Sequence, residues 1–199
     1  MNIAILGGSF DPPHVGHYLI AQQVRDLLHM DQVWLMPAFQ HPFQKKLSLT
    51  GHRLAMTKLL ENETIKASDF EIKHNKTSYT IDTLKALEEQ YPNDTFYWVT
   101  GSDQLESFQK YKDWRQIVAK HNLIIFPREW ILPFFEDRVK EKLQLQSIPK
   151  NVIVLQNDEL LLTNISSTGI RRRVQNSLPI TYLVPAQVET YIQKKKLYK

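Results

Sequence analysis

The chain opens on an apolar run that stops at two glycines, and this junction constrains the fold more than any other feature. Asn2–Leu6 (Asn-Ile-Ala-Ile-Leu) reads as a buried strand. Gly7-Gly8-Ser9-Phe10-Asp11-Pro12-Pro13-His14-Val15-Gly16-His17 follows at once, and a helical stretch runs from Tyr18 to His29. Glycines let a backbone approach an anion closely, and the free N–H groups of a helix start favour negative charge. Two histidines there can add hydrogen bonds or positive charge. The turn carries neither Gly-x-Gly-x-x-Gly nor a glycine loop ending in Gly-Lys-Ser/Thr, so neither common nucleotide fingerprint applies. A lone histidine would read as polar surface; two of them behind Gly-Gly-Ser read as a phosphate-handling turn. Asp11, His14 and His17 also suggest a metal site, but the glycines and Pro12-Pro13 argue against that geometry.

Behind this turn, apolar runs alternate with amphipathic ones. The strands are expected at Asn2–Leu6, Gln32–Met36, Ile65–Ile72, Thr95–Thr100, Asn122–Phe126 and Val152–Leu155. Helices are expected at Tyr18–His29, Gly51–Asn62, Tyr79–Tyr91, Asp113–His121, Pro133–Leu143, Ser167–Gln175 and Pro185–Lys196. The alternation predicts an α/β, Rossmann-like, doubly wound fold, with a mostly parallel sheet and helices on both faces. Ligands of such sheets bind beyond the strands' C-terminal ends, where Gly7, Pro37 and Gly101 fall. The 199 residues suit one domain, with a helical part over about 166–199. Residues 38–49, with Pro42 and Lys45-Lys46, read as a loop over the site. The chain has no cysteine, which excludes disulfides and thiolate chemistry. With no leader pattern and no membrane-length apolar run, a cytoplasmic address is expected. The net charge of +4 suits phosphate-rich small ligands, and the basic residues near Lys194–Lys199 read as helix-end charge. No nucleic acid or membrane partner is expected, and homo-oligomerisation is left open.

A second anion site is written at Asn164-Ile165-Ser166-Ser167-Thr168-Gly169-Ile170-Arg171. Ser166 or Ser167 is a natural N-cap, and small hydroxyl residues beside bare N–H groups suit phosphate. Arg171 falls one turn in, where its planar fork can grip two oxygens. Arg172 and Arg173 read as a solvated basic face.

Gly8-Ser9-Phe10-Asp11-Pro12-Pro13-His14-Val15-Gly16-His17 resembles the Gly-x-Phe-Asp-Pro-x-His-x-Gly-His signature of the nucleotidylyltransferase superfamily. Ile165–Arg171 is similar to the superfamily's Ile-Ser-Ser-Thr-x-Ile-Arg motif. His14, with Thr77-Ser78-Tyr79-Thr80-Ile81-Asp82-Thr83-Leu84, resembles the bacterial nicotinate-mononucleotide adenylyltransferases in particular. That resemblance implies transfer of the adenylyl group of ATP, with Mg²⁺ bound through the phosphates, to nicotinate mononucleotide. His14, His17 and Arg171 would be catalytic. Gly7, Gly8, Ser9, Phe10, Ile165, Ser166, Ser167 and Thr168 would join them in binding ATP. Lys45, Tyr79, Thr80, Gly101, Asp103, Tyr111 and Trp114 would bind the mononucleotide. Tyr111 stands where relatives commonly carry a stacking Trp, and Trp114 is the alternative ring. His41-Pro42-Phe43-Gln44-Lys45-Lys46 departs from the family's Pro-Pro-His-Lys. Transfer to the amide mononucleotide or to pantetheine phosphate, and a non-catalytic nucleotide sensor, are the competing readings.

Overall fold

In the computed structural model, residues 1–40, 47–128 and 134–199 are described. Six strands form one sheet: β1 (Asn2–Gly8), β2 (Gln32–Pro37), β3 (Ile65–Ala67), β4 (Thr95–Gly101), β5 (Asn122–Phe126) and β6 (Val152–Val154). All neighbours pair parallel, in the order β3-β2-β1-β4-β5-β6. Side chains alternate across it with the period of two that a pleat imposes. Ile3, Ile5, Phe96, Trp98, Leu123 and Ile125 bury on one face. Ala4, Leu6, Val33, Leu35, Val99 and Ile124 bury on the other. Both faces are therefore apolar and both are covered, as parallel sheets require.

The first face is covered by α3 (Phe70–His74), α4 (Thr80–Gln90), α5 (Ser102–Phe108), α6 (Trp114–Lys120) and α7 (Phe135–Lys142). The second carries α1 (Val15–Leu27), α2 (Thr50–Lys58), α8 (Ser167–Gln175) and α9 (Ala186–Lys195). Among the described residues no helix is long and apolar enough to cross a membrane. The chain moves outward from β1 in one direction through β2 and β3, then returns to β1's other side with β4. At that reversal the loops after β1 and β4 diverge and leave a crevice.

Two expectations need correction. The strand expected over Ile65–Ile72 ends at Ala67, and Phe70–His74 is helical. Ser68 causes the break: its hydroxyl accepts from the Phe70 N–H, a local bond that competes with the ladder. No helix was expected after Gly101, yet α5 starts at Ser102 with Gly101 as its N-cap.

Candidate active site

A cavity of about 860 Å³ occupies the crevice between β1 and β4. Gly7, Gly8, Ser9, Phe10, His14 and His17 line one wall. The glycines here make room and are not needed for backbone handedness, because none has positive φ. A Cβ on Gly7 would run into the Trp98 indole. The left-handed residue is Phe10, at φ 49°, a conformation that costs energy for a bulky side chain. Arg53 over-determines it from behind. Its guanidinium is 1% exposed and donates to the carbonyls of Ser9 (2.9 Å), Phe39 (3.1 Å) and Ser48 (3.0 Å).

Helix α1 starts earlier than the sequence suggested, at Val15, so His14 is its N-cap and His17 lies in its first turn. The two imidazoles lie 3.7 Å apart between centroids, and Phe10 packs 4.7 Å from His17. His17 Nδ1 accepts the His14 backbone N–H at 3.2 Å, which puts the proton of a neutral ring on Nε2. Gly16 allows this pairing. A Cβ there would sit 3.0 Å from His14 Nδ1 and 3.1 Å from the Thr163 methyl. Asp11 is not available to a metal beside these rings. Its carboxylate accepts from the Tyr198 hydroxyl (2.6 Å) and the Ser48 N–H (3.0 Å).

The opposite wall comes from α8. Ser166 caps it as expected, its hydroxyl accepting from Gly169 N–H at 3.1 Å. Ser167 donates to the Pro12 carbonyl at 2.8 Å, and Arg171 donates to the Asp11 carbonyl at 2.7 Å and to Thr168 Oγ at 3.2 Å. Residues distant in sequence thus meet at one turn. Ser166, Ser167, Thr168 and Arg171 line the cavity; Ile165 does not, and instead packs against the core while its carbonyl accepts from Arg128 at 3.1 Å.

The far end is aromatic and polar. Tyr79, Thr80, Gly101, Asp103 and Tyr111 all line it. Tyr111 stacks on Phe108 at 4.9 Å and 21°. Trp114, the alternative ring, does not line the cavity. It is buried in the core under α6, with the Arg115 guanidinium 4.5 Å over it. Neither Ser78 nor Thr77 caps α4: Tyr79 is its N-cap, and Ser78 Oγ accepts from Phe39 N–H. Asp82, in the first turn of α4, pairs with Lys112 at 2.8 Å. Lys45 lies outside the described residues.

Sequence reasoning missed four charged groups that line the cavity. Arg128 follows β5 directly, so the rule that ligands gather beyond strand ends could have found it. Lys110 and Lys112 add two further cations. Glu71 was hidden inside the misread strand. It is buried, accepts from Thr83 Oγ at 2.7 Å, and burial pushes its carboxyl up. Together Arg128, Arg171, Lys110 and Lys112 make the cavity suitable for an anion, and the aromatic end suits a ring.

Burial, reinforced by the Arg128 charge, drives the His14 pKa down from 6.5 to about 3. The same two causes, with His14 itself, hold His17 well below its usual value. Both rings are therefore neutral donors at neutral pH. The folded state thus binds fewer protons than the unfolded chain below pH 6.5, so stability falls as pH drops from there toward 3. His14 alone should remove about 2 kcal/mol between pH 7 and pH 5. Urea unfolding at the two pH values measures this, and a His14→Asn variant should show a shallower loss.

A family model described as cytidylyltransferase-like matches residues 5–173. A Halalkalibacterium halodurans protein named "probable nicotinate-nucleotide adenylyltransferase" is 34% identical over 202 residues, covering 99% of this chain and 91% of the relative. A Borrelia garinii subsp. bavariensis protein of the same name is 34% identical over 203 residues, covering 100% and 95%. Among solved structures, Plasmodium falciparum nicotinic acid mononucleotide adenylyltransferase complexed with NaAD shares the fold. Its TM-score is 0.81 at 24% identity, covering 99% of this chain and 97% of that one.

Proposed function

The chain belongs to the cytidylyltransferase-like family and, within it, to the nicotinate-nucleotide adenylyltransferases, and on that premise we propose how its cavity works. The enzyme transfers the adenylyl group of magnesium-bound ATP to nicotinate mononucleotide, giving deamido-NAD and pyrophosphate, a step of NAD synthesis in the cytoplasm. The acceptor's 5′-phosphate oxygen forms a new bond to the α-phosphorus, and the bond from that phosphorus to the bridging oxygen breaks in line. The electron pair of the broken bond leaves with pyrophosphate. No protein nucleophile is needed, because the attacking group is already an anion. Catalysis then rests on holding two anions together and stabilising the charge that spreads onto phosphoryl oxygens.

The observation that carries this reading is the closely packed, neutral His14–His17 pair facing α8 across the cavity. His17 Nε2–H and His14 donate to the ATP phosphates without adding a charge that water would have to neutralise. Gly7, Gly8, Ser9 and Phe10 line the nucleotide. The start of α8, with Ser166, Ser167, Thr168 and Arg171, holds the leaving pyrophosphate. Arg171 keeps the Asp11 carbonyl as one partner, so its remaining N–H groups serve the phosphate. At the other end the pyridine lies on Tyr111, Asp103 accepts from a ribose hydroxyl, and the Tyr79–Thr80 start of α4 faces the acceptor. Pyrophosphate release with ATP and Mg²⁺ tests the reading, comparing nicotinate mononucleotide, nicotinamide mononucleotide and phosphopantetheine. Preference for the nicotinate compound is expected. Preference for the amide would overturn the acceptor, and silence with all three would overturn the activity.

A further inference from the structure

Thr100 ends the buried part of β4 and lines the cavity, yet it was no part of any motif. It is 3% exposed, and its hydroxyl is fully buried with no hydrogen-bond partner among the described residues. A buried hydroxyl left unpaired destabilises the fold, whereas valine fits the same space without that cost. The pairing of β4 with β5 does not account for the oxygen, since the backbone ladder uses only main-chain groups.

Its position says what the partner is. Side chains alternate along β4, so Thr100 shares a face with Phe96 and Trp98, the face covered by α4 and α5. The acceptor end of the cavity lies on that side, with Tyr79, Gly101 and Tyr111 around it. The stack of Tyr111 on Phe108 gives this end a flat aromatic surface beside its polar groups. Rotation about χ1 is the motion that would carry the buried oxygen to the cavity when a polar group of the ligand is there to receive it.

We propose that the Thr100 hydroxyl is a further substrate-binding contact that hydrogen-bonds the polar substituent of the acceptor's aromatic ring. The inference rests on the acceptor reading given above. A hydroxyl donates to a carboxylate and also accepts from a carboxamide, so the contact serves a ring bearing either group.

The test is Thr100→Val, with Thr100→Ser beside it. KM for nicotinate mononucleotide should rise about five- to tenfold in Thr100→Val and stay within about twofold in Thr100→Ser. KM for ATP should hold in both. Thr100→Val should melt no lower than the parent, because the valine removes the unpaired hydroxyl. An unchanged mononucleotide KM overturns the inference, as does a parallel rise of both KM values with a lower Tm. Calorimetric binding of nicotinate mononucleotide separates this inference from the one it rests on. Parent enzyme that binds the mononucleotide while Thr100→Val binds it equally well removes only Thr100. Parent enzyme that does not bind it removes both.

Discussion

Replacing His17 with alanine is expected to lower kcat about 10²- to 10³-fold while KM for ATP moves only a few-fold. The size follows from what the ring does. Its Nδ1 is committed to the His14 N–H, so Nε2–H is fixed in direction before any substrate arrives. A donor already oriented in an enclosed site loses little free energy to reorganisation when charge develops on the phosphoryl oxygens. Alanine also removes the ring against which His14 and Phe10 pack, so the His14 ring loses a wall. The ground-state phosphates keep Arg171 and the α8 start, which is why affinity for ATP should survive. Single-turnover measurement of pyrophosphate release reads the chemical step directly. A kcat within threefold of the parent would remove His17 from the reaction.

Arg53→Met should destabilise the protein by about 3–5 kcal/mol, lowering Tm by roughly 10 °C. The side chain is enclosed, and its three donations tie the loops after β1 and β2 to the residues preceding α2. Methionine fills the space but leaves three carbonyls without that donor. It also strips a buried positive charge from the neighbourhood of Asp11 and Glu71. Lysine should rescue little, because a single ammonium cannot satisfy carbonyls arranged around a planar fork. Thermal melting of both variants checks this, with Arg172→Ala as the comparison. Arg172 is exposed on α8, and its loss should change stability by no more than about 0.5 kcal/mol. A melting temperature for Arg53→Met equal to that of Arg172→Ala would show that the surrounding carbonyls find other partners.

The parallel sheet was legible because its strands bury both faces, so β1, β2, β4 and β5 stand out as near-continuous apolar runs. Glycine punctuates the strand ends, although β1 runs two residues past the expected Leu6 to Gly8, and the reason is invisible in one dimension: Gly7 leaves space for Trp98, and Gly101 for Asp103 and Arg128. Ile65–Ile72 misled because Ser68 and Asp69 interrupt an apolar run that, in both its halves, has strand-like composition. Serine two residues before Phe70 was the available warning. The end of the cavity walled by His14, His17 and α8 was readable since its lining residues lie in two contiguous motifs. The acceptor end was read less completely. Its lining comes singly from the ends of β4 and β5 and from several helices, so Thr100 and Arg128 carry no local pattern at all. Trp114 and Tyr111 could not be ranked by spacing, because which ring faces a cavity depends on the turn between α5 and α6.

The bonds from Ser167 and Arg171 to the Asp11–Pro12 backbone, and from Tyr198 to the Asp11 carboxylate, join residues more than 150 positions apart. On a ribosome this turn is made well before its partners. At ordinary elongation rates that gap is on the order of ten seconds. Throughout it, the nascent chain can build β1 to β5 and their helices but cannot finish the nucleotide wall. Newly made enzyme therefore gains its activity only after α8 and Tyr198 have emerged, and a message truncated before α8 yields a sheet whose cavity lacks one wall.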